Sequence, residues 1–424
     1  MRRKKVSSNP QTHELLVREV GARGDGLAVD EAGHRAFVPL TLAAERVRAR
    51  VEGDRGELLE VLTASPDRVD PPCPHCGVCG GCALQHWSMD GQLAWKSDQV
   101  RQALAREGIE TEIRSVIGTP PGSRRRVALH ARPGPNGPRL GFKGRRSWTV
   151  TDIQTCLIAD PRIVAALPGL RTLAAAFLDH PKSAPTLRVT ATETGLDIEV
   201  SGVERKSGGL SADRQMQAAE AAGALDLARL TLGGEPLYQA RRPVVRIGSA
   251  QVEPPPGAFL QAAPGAEAAM QAACVAAVQG ASRAADLFCG LGSFALPMAE
   301  QVPVLAADCA GESIEALKAA AARTSGLKPI QAVTRNLFRE PVSAMELRGC
   351  DVIVFDPPRA GGFEQAREIA GSDAVRVVGI SCNPTTFARD ARALVDAGWR
   401  LEHVTPVDQF LWSAHIELIG VFER

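Results

Sequence analysis

The sequence predicts a multidomain chain that combines α+β and α/β architecture: an N-terminal β-barrel, an α+β central region and a C-terminal doubly wound parallel sheet. From about Leu15 to Leu62, short Val- and Leu-rich runs (ELLVREVG, GLAVD, AFVPL, RVRARVEG) alternate with Gly and charged residues, the pattern of antiparallel strands joined by tight turns. Between about Leu187 and Glu253, strand-like runs flank an Ala-rich helix around Ala212 to Ala228. After Gly257 strands and helices alternate (ADLFCGLGSFALPMA, SIEALKAAAART, DVIVFDPPR, VRVVGISCNP, RDARALVDAGW), the rhythm of a parallel sheet covered on both faces. The expected organisation is a barrel over 1–66, a central domain over 67–250 and an α/β domain over 251–424. A helical pattern at 87–108, free of Pro, lies in the central stretch and is a candidate to pack on the α/β domain.

With 424 residues, 45% hydrophobic and 23% charged, the chain has ordinary globular composition, which excludes disordered and collagen-like readings. No window approaches the roughly 18–20 consecutive apolar residues of a membrane helix. The basic start MRRKKVSS runs into NPQTHELL rather than an apolar signal core, so a cytoplasmic protein without membrane contact is expected. Lys and Arg number 49 against 48 Asp and Glu, a net charge of +1 that decides nothing about partners. Distribution decides more: between Arg114 and Val150 there are nine basic residues and no acidic one, Arg124, Arg125, Arg126, Lys143, Arg145 and Arg146 among them. A basic run is ordinarily a solvated face. The absence of any counter-charge over 37 residues points instead to a polyanion, RNA.

Ten cysteines are too few for a disulfide scaffold in a cytosolic chain, yet four of them, Cys73, Cys76, Cys79 and Cys82, fall within ten residues (PPCPHCGVCGGC). Repeated C-x2-C spacing is close to that of iron–sulfur proteins and unlike zinc sites with two separated pairs, although spacing alone leaves zinc open.

Three further constellations lie at the ends of apolar strands, and a fourth precedes one. In D-L-F-C-G-L-G-S-F, Asp286 to Phe294, the glycines at 290 and 292 let the backbone approach a ligand at the strand's C-terminal end, where open α/β sheets bind theirs. Ala295 stands where a dinucleotide fingerprint needs its third Gly, which argues against NAD. The next strand, VLAAD, ends in Asp308, placed either to cap a helix or to accept from a ribose diol. S-adenosylmethionine offers that ribose without a pyrophosphate. D-P-P-R, Asp356 to Arg359, holds a carboxylate on a stiff turn. S-C-N-P places Cys382 at a strand end, unlike Cys289, for which packing inside the Gly-rich turn suffices. Near the C-terminus D-Q-F-L-W-S-A-H-I-E ends in Glu417, which beside Cys382 becomes an acid/base candidate.

In this order, with F-x-Q at Phe259 to Gln261, these motifs resemble the RNA uracil-5-methyltransferases, specifically the cluster-containing branch that modifies 23S ribosomal RNA. The resemblance covers nearly the whole chain. It implies a TRAM- or OB-like barrel, a cluster-bearing central domain and a Rossmann-like class I S-adenosylmethionine methyltransferase domain. It implies Cys382 as nucleophile, Glu417 as base, and Gln261, Phe288, Gly290, Ser293, Asp308 and Asp356 at cofactor positions, with Asp356 also placed to hold the uracil. It implies a 4Fe-4S cluster on Cys73, Cys79, Cys82 and the distant Cys156, with a ligand set using Cys76 instead of Cys156 as the second choice. Such a cluster is structural or RNA-positioning rather than redox-catalytic, because methyl transfer needs no electrons. RNA is the expected partner, 23S rRNA first and tRNA second, with no obligate protein partner. A rival of another class is an RNA-binding cluster protein whose methyltransferase domain is vestigial. Two departures alter the wall around the base: Ala262-Ala263-Pro264 follow Gln261 where the family has Asn nearby, and Phe410-Leu411-Trp412-Ser413 replace F-P-x-T.

Overall fold

The computed structural model describes residues 11–180, 182–203 and 209–424; the basic start read above as no signal core lies outside the described residues. β1 (Gln11–Val20), β2 (Asp25–Val29), β3 (Arg35–Pro39), β4 (Arg46–Glu52) and β5 (Arg55–Thr63) close into a barrel in the order β1-β2-β3-β5-β4. Alternation points Leu15, Val17, Ala28, Ala36, Val38, Val47 and Ala49 inward as its core, while Glu14, Arg48 and Glu60 pair on the outside.

The cysteine loop follows without regular structure, then α1 (Met89–Arg106), capped by the Ser88 hydroxyl, which accepts from the Gly91 N–H. Val100, Ala103 and Leu104 of α1 enter the core of the C-terminal sheet. Two short strands, β6 (Glu112–Ile113) and β7 (Ile117–Gly118), continue onto that sheet's edge, although the sequence assigned this stretch to the central domain. Lys96 of α1 is fully buried and donates at 2.6 Å to Asp408 at the end of the strand those two pair with. Breaking a buried pair by removing one partner costs about 3–5 kcal/mol, so this contact pins the helix to the sheet in one register.

A seven-stranded sheet forms the central unit, in the order β10-β9-β8-β11-β12-β13-β14. Its strands are β8 (Arg126–Arg132), β9 (Arg139–Lys143), β10 (Val150–Asp152), β11 (Thr186–Thr192), β12 (Gly195–Ser201), β13 (Arg229–Leu232) and β14 (Glu235–Gln239). Helices α2 (Pro161–Ala175) and α3 (Ala212–Ala224) cover one face, burying Ile163, Leu167, Leu170 and Leu173 with Ala218 and Ala222.

The C-terminal unit opens with the hairpin β15 (Val245–Ile247) and β16 (Ala250–Val252) and helix α4 (Pro264–Ala277). There follow β17 (Ala284–Leu287), α5 (Ala295–Ala299), β18 (Val304–Asp308), α6 (Gly311–Arg323), β19 (Ile330–Thr334), β20 (Val352–Phe355), α7 (Phe363–Ala370), β21 (Arg376–Ser381), α8 (Pro384–Asp396), β22 (Arg400–Asp408) and β23 (Glu417–Glu423). The sheet runs β19-β18-β17-β20-β21-β23-β22-β6. β17 to β21 are mutually parallel, and the inner strands β17, β18, β20 and β21 are almost wholly buried because helices cover both faces; β23 inserts antiparallel to its neighbours. Order reverses beside β17, the switch point at which such sheets leave a crevice at the strands' C-terminal ends.

Among the described residues no helix is long and apolar enough to cross a membrane.

Candidate active site

Register assembles the site. Ser381 of β21 pairs with Leu418 of antiparallel β23, so the next residue on one strand, Cys382, and the preceding residue on the other, Glu417, stand together at the same edge of the sheet. Phe355 of β20 pairs with Gly379 of β21, which brings Asp356 to the same edge, and β17 delivers Phe288 beside it. A cavity of about 680 Å³ opens there. Gln261, Phe288, Gly290, Ser293, Asp308, Asp356, Cys382 and Glu417 all line it. The sequence marked every one of these eight.

The Gly-rich turn is shaped by close approach. Gly292 has φ +85°, and a Cβ there would stand 2.5 Å from Leu317 Cδ1, so only Gly lets α6 pack against the turn. Phe288 adopts the left-handed conformation at φ +66°, a strain of about 1–3 kcal/mol. Its ring is held between Phe338 and Phe355 at centroid distances of 5.4 and 5.9 Å. Asp308 accepts from the Gly290 N–H at 3.0 Å and the Ala310 N–H at 2.7 Å. It therefore ties the Gly-rich turn to the residue that leads into α6, and each oxygen keeps a lone pair for the cavity.

Burial governs the electrostatics. Asp356 is raised to about 7, first by desolvation and then by the charge of Asp308. Glu417 is raised to about 8 by burial and by Asp356, opposed by a hydrogen bond from Gln409. A buried carboxyl beside a half-buried one, both raised above the usual carboxylate range, is a setting suited to acid/base work. Burial, with Glu417 and Asp356 behind it, pushes the Cys382 thiol up to about 11, and Arg359 opposes them. Asp286, just behind the turn, is fully buried with neither carboxyl oxygen partnered by a side chain or backbone donor, and burial, with the charge of Asp356, pushes it well above its ordinary value.

Gln409 lies inside the D-Q-F-L-W-S-A-H-I-E run, where sequence alone assigns it no role, yet it is the hub of the site's polar network. Its Nε2 donates to Glu417 Oε1 at 2.8 Å and to Gln261 Oε1 at 2.9 Å, and its Oε1 accepts from the Ala262 N–H at 3.0 Å. Gln261 Nε2 in turn donates to Asp356 at 3.4 Å.

The basic stretch needs correction. The sequence offers Arg124 to Arg126 as one RNA-facing run, but Arg125 is buried and donates to Glu267 of α4 at 2.8 Å and to the Gln261 carbonyl at 3.0 Å. It ties the central sheet to the cofactor side of the site. Arg145 and Arg146 pair with Asp25 of the barrel at 2.6 and 2.8 Å. The missing counter-charges come from residues far off in sequence. Arg124 and Arg126 instead lie over the rings of Phe410 and Phe259, each 5.7 Å from the centroid; Phe259 lines the cavity, whereas Arg124 and Phe410 line a second one, formed around the cysteines.

A second cavity, of about 350 Å³, is lined by Cys73, Cys76, Cys79, Cys82 and Cys156 together. Gly80 closes it: its N–H donates to the Lys143 carbonyl, and a Cβ there would stand 2.6 Å from that oxygen. Burial raises the Cys82 thiol to about 12 and raises Cys156 as well. A zinc ion at about 2.3 Å from each sulfur would require its ligands to converge on one point. Among the described residues no three His, Cys, Asp or Glu side chains do so. The loop that departs from the family pattern forms the opposite wall: Phe410, Leu411, Ser413 and His415 line this cavity, and the Trp412 carbonyl accepts the N–H groups of Ala83 and Leu84.

A doubly wound sheet with one antiparallel strand inserted between β21 and β22, a Gly-rich turn and an acidic strand end around one crevice defines the Rossmann-like methyltransferase class. Residues 251–424 match the family model described as tRNA (Uracil-5-)-methyltransferase. An uncharacterized RNA methyltransferase of Caulobacter vibrioides is 59% identical over 97% of this chain and 100% of its own. A 23S rRNA (uracil(1939)-C(5))-methyltransferase RlmD of Acidithiobacillus ferrooxidans is 34% identical, covering 100% of both chains. The chain belongs to the RNA uracil-5-methyltransferase family. Its fold is similar to that of the Pyrococcus abyssi tRNA (uracil-54, C5)-methyltransferase, solved with S-adenosyl-L-homocysteine, at TM-score 0.74 and 20% identity over 96% of this chain and 99% of that one.

Proposed function

We propose that this protein transfers a methyl group from S-adenosylmethionine to C5 of a uridine in 23S rRNA through a covalent adduct of Cys382 with C6. The observation that carries the proposal is the β21–β23 register, which sets a thiol and a buried carboxyl side by side on the rim of a cavity large enough for a nucleoside cofactor and a base. C5 of uracil is too weak a nucleophile to attack a sulfonium methyl unaided. When Cys382, its thiol proton lost to water, bonds through sulfur to C6, the C5=C6 electrons pass into an enolate and C5 becomes nucleophilic. The cofactor, when bound, supplies the electrophilic methyl. Glu417 then takes the C5 proton, the C5=C6 bond re-forms, and the C6–S bond breaks to release the thiolate. The target base has to leave its stack to reach the cavity.

The cavity suits the cofactor. Asp308 retains acceptor capacity for a ribose diol, the Phe288 ring offers an apolar face, and Gln261, Gly290, Ser293 and Asp356 supply polar atoms around it. Arg126, over the ring of Phe259 that lines the cavity, is placed for an RNA phosphate.

The rRNA reading draws support from the RlmD relative, which matches end to end, whereas the tRNA enzyme shares the fold at low identity. Nucleoside mass spectrometry on separately purified 23S rRNA and tRNA, from a strain lacking the gene and its parent, tests it. Loss of 5-methyluridine from 23S rRNA alone is expected. Loss from tRNA alone overturns the substrate assignment, and loss from neither favours an RNA-binding protein with a vestigial methyltransferase domain.

We further propose that Cys73, Cys79, Cys82 and Cys156 hold a 4Fe-4S cluster. The support is the cavity that these cysteines share and soft sulfur ligands of the kind such clusters take. The cluster would fasten the cysteine loop to the central sheet. Protein purified without oxygen is expected to be brown and to carry iron and acid-labile sulfide. Cys156→Ser should remove the colour and Cys76→Ser should not; the reverse pattern selects the Cys76 ligand set, and a colourless zinc protein ends the cluster reading.

A further inference from the structure

We propose that Gln409 is the positioning residue for Glu417, holding its carboxyl in the orientation and ionisation state from which it takes the C5 proton. The inference rests on the reading of Glu417 as the releasing base and deepens it.

Gln409 is 4% exposed and every polar atom of its amide is used. The arrangement has only one consistent sense. The Ala262 N–H is a backbone donor that cannot reverse, so it requires the Gln409 carbonyl and thereby turns both amide hydrogens outward. One meets Glu417 Oε1 and the other meets Gln261 Oε1. With its own oxygen occupied, Gln261 must present its NH2 to Asp356. A chain of donors thus starts at a backbone N–H and ends on the buried Glu417 and the half-buried Asp356, each offered a hydrogen bond to an oxygen. A hydrogen bond to the ionised form favours that form, so the amide opposes the burial that would otherwise keep Glu417 protonated. Flipping Gln409 would set two donors against each other at Ala262 and two acceptors at Glu417. The carboxylate that must receive a proton is thereby given one fixed partner on one oxygen, and its other oxygen is left for the substrate.

The neighbours that also bear on Glu417 are few. Asp356 faces it from the end of β20, with its own titration lower, near 7, and its hydrogen bond from Gln261 rather than from Gln409. Cys382 faces it from the end of β21, but in the adduct that sulfur is a thioether and does not titrate. Arg359 lies on the Cys382 side, and the Lys96–Asp408 pair lies directly behind Gln409. Arg125 and Glu267 pair beside Gln261, and His415 of the same loop packs its ring against Phe410.

The test is the pH dependence of adduct release, measured in single turnovers on a uridine-containing RNA by the decay of the gel-stable protein–RNA complex. A base must be ionised to act, so release in the wild type rises with pH through a midpoint near 8. In Gln409→Leu the donor is gone, the protonated form of Glu417 is favoured, and the midpoint moves to higher pH. A shift of about one unit makes release ~10-fold slower at pH 7, with recovery toward the wild-type rate above the new midpoint. Gln409→Glu, which sets a second carboxyl against Glu417, should move the midpoint further in the same direction; Gln409→Asn, one methylene too short to span both partners, should move it less. These two variants also serve if the Leu variant does not fold, with melting curves reporting which are intact. A loss of equal size at every pH with an unmoved midpoint in the folded variants overturns the proposal and makes Gln409 merely structural. The underlying reading fails separately: if Glu417→Gln releases its adduct with the wild-type profile, Glu417 is not the base and the role of Gln409 falls with it.

Discussion

Glu417→Gln is expected to trap the enzyme on its RNA. The variant should add Cys382 to C6 and transfer the methyl, then stall with one hydrogen too many at C5. Two physical features of the site make this outcome specific. First, the substitution is nearly isosteric, and the new amide can turn its carbonyl toward the Gln409 N–H that already donates there at 2.8 Å, so the β21–β23 edge keeps its shape. Second, Glu417 is 5% exposed, so bulk water has little access from which to supply a substitute base. Loss of a positioned base slows proton transfer by about 10²–10⁴-fold, enough for the adduct to outlast a denaturing gel. The band should carry label from the methyl donor. Turnover that stops without any labelled, gel-stable complex would remove Glu417 from the release step. The position of the group on the pH axis follows from the same burial: raised to about 8, its ionised and active form gains as pH rises, so release in the wild type accelerates between neutral pH and 9 rather than peaking below 7.

Much of this site was legible in the sequence because its chemistry sits at strand ends. An apolar run followed at once by Asp356, Cys382 or a Gly-rich turn places a reactive group at the C-terminal edge of a parallel sheet, and parallel sheets bring such edges together. Glu417 is legible for the opposite reason, since it starts an apolar strand, and an antiparallel strand contributes its beginning to the edge where its neighbours end. Gln409 was not legible. An amide has no reactivity of its own to advertise, and its importance comes from three partners 8 to 148 positions away. The basic stretch misled for a related reason. Charge balance was read along the chain, whereas Asp25 and Glu267 supply the counter-charges across it, from the barrel and from α4. The strands β6 and β7 escaped domain assignment because each spans only two residues, too short to display a period, and their place at the sheet edge is set by pairing with β22.

Cys382→Ala should abolish methylation, by on the order of 10⁴-fold or more, while leaving the fold and the cofactor site in place. The magnitude follows from the division of labour: without the sulfur at C6 there is no enolate, and neither the cofactor pocket nor Glu417 has a nucleophilic carbon to work on, so groups that act as a unit are lost together. The side chain is only partly buried at the rim of the cavity, and its loss opens no void in the apolar clusters beneath the sheet, so the melting temperature should barely move. S-adenosylhomocysteine should bind to Cys382→Ala as it does to the wild type, because Asp308, Phe288 and Gln261 reach the cavity from β18, β17 and the segment before α4 rather than from β21. A serine in its place should not rescue, since the same burial and neighbouring carboxyl groups that push the thiol up to about 11 penalise a hydroxyl, a weaker acid, still more. The double variant Cys382→Ala/Glu417→Gln separates the two roles: it should give no gel-stable complex at all, because the trap set by Glu417→Gln needs a bond that only Cys382 makes. A complex that persists in the double variant would assign the nucleophile elsewhere, and methylation that survives Cys382→Ala would show that C5 is activated without a covalent bond to the protein.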